Sequence, residues 1–232
     1  MNNTIIINET KFNFYGFFIV LSLILSLIYV YFFLRKEKVE KKIIFLSMIM
    51  SIPFIILGGK YLTILTTKEK VNIITAGLSS YGGAIGLIIS CLIFEKITDN
   101  KKIKTSYIMS LPLMYSISKL GCLFAGCCYG IKYNGIFNIS YPHLYSYSVF
   151  PVQLLETIVF FIIFIVLNLI YKKDKKNIIC YTILLSSLGK FILDYLRFSH
   201  TNIFLSVNQI ISIVFVIISI VILFYTKKKS RS

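Results

Sequence analysis

Seven long apolar runs constrain this chain more than any other feature of its sequence. They cover roughly residues 13–34, 43–60, 72–94, 106–126, 152–171, 178–197 and 203–226. Each run approaches or exceeds the length of about 20 residues that a helix needs to cross a bilayer. Only 15% of the residues are charged and 57% are hydrophobic, whereas a soluble domain carries about 25% charged residues. We therefore predict an all-α polytopic membrane protein, with seven transmembrane helices in one integral membrane domain, residues 1–232.

Lysine and arginine are concentrated in every second connection between the apolar runs. Seventeen of the twenty-five Lys and Arg residues lie in the segments 35–42, 95–105, 172–177 and 226–232. Cytoplasmic connections carry an excess of these residues, so the asymmetry predicts an N-terminus outside and a C-terminus in the cytoplasm. Topology and attraction to anionic headgroups then account for the net charge of +16, and we predict no nucleic-acid partner.

Five ionisable residues lie inside or at the end of apolar runs, where a charge costs about 3 kcal/mol or more. They are Lys119, Glu156, Lys190, Asp194 and Arg197. The predicted orientation places all five in the outer half of the bilayer, and the spacing of the last three places them on one helical face. Structural pairs such as Lys190 with Asp194, or Lys119 with Glu156, are the alternative. We favour a binding cavity, because five charges from three helices are predicted to meet at one depth.

Two glycine-rich segments and two tyrosines, Tyr15 and Tyr81, are predicted to lie at this same depth. Segment 81–86 opens the third helix to another helix or to a bound headgroup, although small residues are also the ordinary means of packing membrane helices. Segment 121–130 contains three glycines and predicts that the fourth helix unwinds at its outer end. Irregular backbone at membrane depth is tolerated where it is buried in protein or lines a cavity.

The five cysteines divide into two groups. Cys91 and Cys180 are isolated in apolar runs, and we interpret them as small hydrophobic residues. Cys122, Cys127 and Cys128 cluster at the end of the fourth run, where a nucleophile, a disulfide, a metal site or plain packing is possible. Packing or a disulfide is favoured. The metal alternative lacks partner ligands, because the chain has two histidines in all, so we predict no metal.

Short motifs occur in a fixed order along the chain. They begin at Phe14-Tyr15-Gly16, Gly58-Gly59-Lys60-Tyr61, Ser80-Tyr81-Gly82-Gly83, Lys119-Leu120-Gly121-Cys122, Pro151-Val152-Gln153, Gly189-Lys190-Phe191 and Ser206-Val207-Asn208-Gln209. The ordered series resembles the bacterial prolipoprotein diacylglyceryl transferase family along nearly the whole chain. The resemblance implies a multi-pass protein of the bacterial cell membrane.

The chain departs from the family pattern at several of these positions. Tyr81 stands where the family has a histidine, taken there as the catalytic base. Cys122 and Cys127 stand where the signature has an asparagine and a glutamate. Lysine replaces a family arginine at three positions, and each replacement loses a bidentate fork for phosphate. These three residues are Lys60, Lys119 and Lys190.

The resemblance implies transfer of a diacylglyceryl group from phosphatidylglycerol, or a similar anionic phospholipid, to a cysteine thiol of a lipoprotein precursor or another thiol acceptor. No cofactor is implied. A leaving phosphate requires a cationic clamp, and the acceptor requires a base that produces its thiolate. The catalytic residues are then expected to be Tyr81, Lys119, Glu156 and Arg197. The substrate-binding residues are expected to be Tyr15, Lys60, Gly82, Gly83, Cys122, Gly126, Cys127, Gly130, Gln153, Lys190, Asp194 and Gln209.

Three questions stay open at this stage. Tyrosine, with an ordinary pKa of about 10, is a poor base unless cations lower that pKa, and His143 is an alternative base. A related transferase with a different acceptor would use Cys127 or Cys128 covalently. A non-catalytic lipid-binding protein would keep the pocket and lack the base.

The predicted orientation can be tested by labelling intact cells. On a cysteine-free background, single cysteines introduced into 131–150 should react with an impermeant thiol reagent, because this connection is predicted to lie outside. Cysteines introduced into 97–104 or 172–177 should be protected. A reversed labelling pattern would contradict both the orientation and the outer site.

Overall fold

The computed structural model describes residues 4–7, 10–66, 72–73, 75–141, 146–200 and 204–229, and these ranges are predominantly helical. Seven helices are found in them: α1 Phe14–Lys36, α2 Lys41–Thr66, α3 Ser80–Thr98, α4 Lys101–Ala125, α5 Val152–Lys173, α6 Ile178–Asp194 and α7 Val207–Lys229. Two short antiparallel hairpins pair β1 Thr4–Ile7 with β2 Thr10–Asn13, and β3 Ile139–Ser140 with β4 Ser148–Val149. A 3-10 turn, Phe198–His200, follows α6.

Six of the seven helices are long and apolar enough to cross a membrane, so the chain has the character of a polytopic membrane protein. The sixth helix, α6, has 17 residues and is shorter than the other six. A seventh span, the orientation of the termini and the single domain therefore stay predictions. The outward faces of α5 and α7 carry exposed side chains such as Phe161, Ile165, Val221 and Phe224, which suit a lipid environment.

Several helix boundaries differ from the predicted spans, and polar side chains cap the starts of the third and the last helix. The third helix begins at Ser80 rather than near residue 72, since the side chain of Ser79 accepts a hydrogen bond from the Gly82 N–H. The last helix begins at Val207 rather than at residue 203, because the hydroxyl of Ser206 accepts a hydrogen bond from the Gln209 N–H. The sixth ends at Asp194, so residues 195–197 lie beyond it.

The chain divides into two compact units. One unit comprises residues 26–111, and the other comprises residues 1–25 and 112–232. The first unit has an apolar core that includes Val30, Leu34, Ile44 and Leu87. The second contains the five buried ionisable residues.

Glycines allow α2 and α3 to approach backbone to backbone inside the first unit. A Cβ atom on Gly82 would meet the carbonyl oxygen of Gly58, and one on Gly86 would meet the carbonyl oxygen of Phe54. The expected close approach of another helix to segment 81–86 is therefore confirmed. Here the small residues serve helix packing, as in other membrane bundles.

Gly86→Ala is expected to destabilise the protein, because the added methyl group clashes with backbone rather than with a movable side chain. The expected loss is about 1–3 kcal/mol or more, as for other overpacked positions. Gly77→Ala is the matched control, since nothing lies within 4 Å of a Cβ at that position. Thermal unfolding in detergent compares the two variants. Equal melting temperatures would contradict the packing role of Gly86.

Candidate functional site

The carboxylate of Glu156, in α5, is the centre of a buried ion cluster. Its side chain is only 1% exposed. Lys119 Nζ lies 3.0 Å from Oε2, and Arg197 Nη2 lies 2.6 Å from Oε1. The hydroxyl of Tyr115 donates a hydrogen bond of 2.7 Å to Oε1. One carboxylate therefore neutralises cations from two different parts of the chain.

Arg197 reaches this carboxylate from a turn, not from a helix. The prediction that Lys190, Asp194 and Arg197 share one helical face is wrong for Arg197, because α6 ends at Asp194. The Arg197 N–H donates to the Asp194 carbonyl at 3.1 Å, and the residue forms an isolated antiparallel bridge with Gly130. A backbone pairing thus determines the position of the guanidinium.

Tyr115 is a site residue that the sequence analysis missed. Lys119 Nζ lies 5.0 Å from the centroid of its ring, and Lys190 Nζ lies 4.5 Å from the same centroid. The ring also packs against Phe160, with centroids 4.2 Å apart. Its signal in the sequence is its position one helical turn before Lys119, which places both residues on one face of α4.

Asp194 joins α6 to the start of α7. The Ser206 hydroxyl donates to Asp194 Oδ2, and Arg197 Nε lies 3.6 Å from Asp194 Oδ1. Gln209 accepts from the Ser206 N–H at 3.0 Å and contacts His200 Nε2 at 2.6 Å. Gln209 is therefore connected to the ion cluster through Ser206, and it holds the turn before α7.

The buried cluster contains more basic than acidic side chains. Lys119, Lys190 and Arg197 are opposed by Glu156 and Asp194, and all five residues are less than 9% exposed. Three basic and two acidic side chains therefore lie in a region of low dielectric constant. Electrostatic interactions are strong there, so the cluster is suited to bind an anion.

The end of α4 is irregular, as the glycine pattern predicted. The helix ends at Ala125, and Gly126 and Cys128 then adopt φ angles of 65° and 56°. The Cys127 N–H donates to the Cys122 carbonyl at 3.2 Å, and Gln153 Nε2 donates to the Cys127 carbonyl at 2.8 Å. The segment after α4 is thereby held against the first turn of α5, one turn before Glu156.

Three thiols converge in this segment. The Sγ atoms of Cys122, Cys127 and Cys128 all lie within 4.8 Å of one another. All three cysteines are free, and their exposure rises from the buried Cys122 to the exposed Cys128. The neighbouring thiols, Cys122 first, together with nearby cations, hold the pKa of Cys128 well below its ordinary value.

Two further predicted residues lie beside this segment. A Cβ atom on Gly121 would lie 3.2 Å from the carbonyl oxygen of Tyr15, so the start of α1 packs closely on α4. Gln153 is fully buried, and its Oε1 atom has no hydrogen-bond partner among the described residues. This oxygen is a candidate acceptor for a substrate hydroxyl or N–H.

Four predicted site residues belong to the unit of residues 26–111. Tyr81 is buried in the first turn of α3, and Gly82 and Gly83 are buried beside it. Lys60 Nζ donates to the Ile73 carbonyl at 2.7 Å, which ties the end of α2 to the following connection. His143, the alternative base, lies outside the described residues.

Comparisons with known proteins show which family this chain resembles. The model of a family described as prolipoprotein diacylglyceryl transferase matches residues 3–225. A phosphatidylglycerol–prolipoprotein diacylglyceryl transferase of Finegoldia magna is 24% identical over 229 residues, covering 93% of this chain and 91% of the relative. A phosphatidylglycerol–prolipoprotein diacylglyceryl transferase of Clostridium tetani is 28% identical over 228 residues, which cover 89% of this chain and 90% of the relative. Phosphatidylglycerol–prolipoprotein diacylglyceryl transferase 2 of Clostridium perfringens is 28% identical over 241 residues, which cover 94% of this chain and 92% of the relative.

Replacement of Glu156 is expected to be costly to stability. Glu156→Gln leaves Lys119 and Arg197 buried without their carboxylate, an expected loss of about 3–5 kcal/mol. The matched control is Glu95→Gln, which breaks the more exposed pair with Lys104 and should cost about 1 kcal/mol or less. Thermal unfolding in detergent measures both variants. Equal losses would show that the buried cluster does not depend on Glu156.

Proposed function

The chain belongs to the prolipoprotein diacylglyceryl transferase family, and on this premise we propose that it moves a diacylglyceryl group from phosphatidylglycerol to the cysteine thiol of a lipoprotein precursor. The observation that carries the proposal is the buried cluster around Glu156, which holds the basic side chains of Lys119 and Arg197. Phosphatidylglycerol has a negatively charged phosphodiester, which basic side chains can bind.

The reaction requires a site that stabilises negative charge on the leaving phosphate. The acceptor thiolate attacks the glyceryl carbon that bears the phosphate ester, a C–S bond forms, and the C–O bond to the phosphate breaks. Glycerol phosphate leaves with one more negative charge than the phosphodiester had. Cations that are already in place stabilise this developing charge without reorganisation, which lowers the barrier.

We assign the phosphate contact to Arg197, Lys119 and Lys190. Arg197 has the only guanidinium among them, so it alone can offer a planar fork to two phosphate oxygens. Glu156 and Asp194 hold these cations in place before the lipid binds. Both carboxylates are therefore positioning residues in this proposal.

The acceptor thiol belongs to the substrate rather than to Cys127 or Cys128 of this chain. A diacylglyceryl group on a protein cysteine would be a thioether, and a thiolate is a poor leaving group from an unactivated sulfide. Such an adduct would be an end product and not an intermediate. This chemistry disfavours the alternative in which a cysteine of the chain relays the lipid covalently.

We place the reaction in the outer half of the bacterial cell membrane, as the distribution of Lys and Arg predicts. Tyr81 stays a proposed catalytic residue on the basis of its motif. A phenol accepts protons poorly at neutral pH, so thiolate formation by Tyr81 alone would be slow.

Arg197→Ala is expected to reduce lipid transfer by at least about 100-fold, because the leaving phosphate loses its guanidinium. Arg197→Lys keeps the charge without the fork and should retain little activity. The assay follows transfer from phosphatidylglycerol to a purified cysteine-containing lipoprotein-precursor peptide by mass spectrometry. Size-exclusion chromatography in detergent reports whether each variant is folded.

Arg35→Lys is the matched control, since Arg35 is exposed at the end of α1. It should transfer lipid at the rate of the unchanged protein. Near-normal turnover by folded Arg197→Ala would remove Arg197 from the phosphate site. No turnover by the unchanged protein, combined with tight binding of phosphatidylglycerol, would favour the lipid-binding alternative.

A further inference from the structure

We propose that Cys122, Cys127 and Cys128 bind one Zn²⁺ ion as three thiolates, and that the acceptor thiol takes the fourth coordination position. The inference rests on the proposed function, because it assigns the way in which the acceptor thiolate is formed. It also supplies a role for three cysteines that the lipid chemistry leaves without one.

The sulfur positions require little movement to bind the ion. The three Sγ atoms already lie within 4.8 Å of one another. Tetrahedral Zn–S bonds of about 2.3 Å correspond to sulfur separations of about 3.8 Å, so a shift of about 1 Å is sufficient. The scarcity of histidine in the sequence disfavours a metal, whereas three thiolates and an exchangeable fourth ligand need no histidine.

The backbone conformation around the three cysteines is consistent with a ligand site. Cys122 lies in the last turn of α4, and the hydrogen bond from the Cys127 N–H to its carbonyl folds the chain back over the helix end. Cys128 adopts a left-handed conformation with φ of 56°, which costs about 1–2 kcal/mol for a residue other than glycine. Such local strain is typical of ligand sites.

The cluster of three cysteines is exposed on one side. Cys122 is buried, Cys127 is half-buried and Cys128 is exposed. In the part of the chain that the structure describes, no fourth His, Cys, Asp or Glu ligand atom joins the group. Structural zinc sites have four protein ligands, whereas catalytic sites have three and an open position. In the proposal, the acceptor thiol fills the fourth position.

The ion would lie beside the proposed phosphate site. Lys119 is one helical turn before Cys122 on α4, and Gln153, bonded to the Cys127 carbonyl, is one turn before Glu156 on α5. A three-thiolate zinc complex has a formal charge of −1, and it would lie near the cationic side chains of Lys119 and Arg197. Acceptor and donor are thus brought to neighbouring positions.

The reaction step balances without a redox partner. The acceptor thiol loses its proton to water as it binds to Zn²⁺, because a coordinated thiol is deprotonated. The bound thiolate attacks the glyceryl carbon, the C–S bond forms, and the C–O bond breaks to release glycerol phosphate. The thioether product is a neutral, weak ligand, and it leaves the metal.

The first test measures binding of Zn²⁺ alone to the full-length protein in detergent, after reduction. One Zn²⁺ per chain is expected. Replacement of any of the three clustered cysteines by serine should weaken binding at least about 10-fold, because each removes one of the three protein ligands. Cys91→Ser and Cys180→Ser are the matched controls, since both cysteines are buried elsewhere, and both variants should retain one ion. Binding that survives in all three cluster variants would overturn the inference.

The second test uses Co²⁺ in place of Zn²⁺ and follows the thiolate-to-metal charge-transfer absorption. Addition of the cysteine-containing acceptor peptide should raise this absorption by about one third, four thiolates replacing three. The same peptide with serine for cysteine should leave it unchanged. An unchanged spectrum with both peptides would make the site structural and overturn the proposed role.

Activity measurements separate this inference from the proposed function. Metal-free protein should lose at least about 100-fold in lipid transfer and recover on addition of Zn²⁺. Each cluster variant should lose more turnover than Tyr81→Phe. Full transfer by metal-free protein, or a Cys122–Cys127 disulfide found by thiol counting in the active enzyme, would overturn the metal role and leave the transferase intact. Metal and thiol binding without transfer to any peptide would instead contradict the proposed function.

Discussion

The double ion pair of Glu156 is the interaction on which the second unit of this structure depends. A lone lysine or arginine inside a bilayer costs several kcal/mol, so α4 and the turn after α6 can bring their cations inward only where a carboxylate meets them. Glu156 provides one oxygen to each cation, and the Tyr115 hydroxyl adds a hydrogen bond. In the proposed reaction, the cations of the same cluster contact the phospholipid phosphate.

The backbone around this cluster is held by a second layer of polar contacts. The bridge between Gly130 and Arg197 joins the segment after α4 to the turn after α6, and the Gln153 amide holds the Cys127 carbonyl. Ser206 joins Asp194 to the start of α7. These contacts pair several backbone groups of the irregular connection within the protein, which is the condition under which a membrane tolerates such backbone. The three thiols lie on that connection.

Helix positions, the family and the convergence of the five charges were predictable because each depends on local patterns. Apolar length, the distribution of Lys and Arg, and the order of motifs can all be recognised one segment at a time. Helix ends were predicted less well, and α3 begins about eight residues later than its apolar run, because the Ser79 cap overrides hydropathy there. The shared face of Lys190, Asp194 and Arg197 failed for the same kind of reason, since the helix ends before Arg197.

The sequence by itself therefore determined the class of protein, its family and the five ionisable residues that are candidates for a site. The tertiary structure decided which of them touch: the contact of the Tyr115 ring with two lysines, the pairing of Arg197 with Gly130, and the convergence of three thiols. Hydropathy and periodicity describe one helix at a time. Contacts across the site depend on where helices cross and on the conformation of the chain after each helix ends. Packing among many residues determines both.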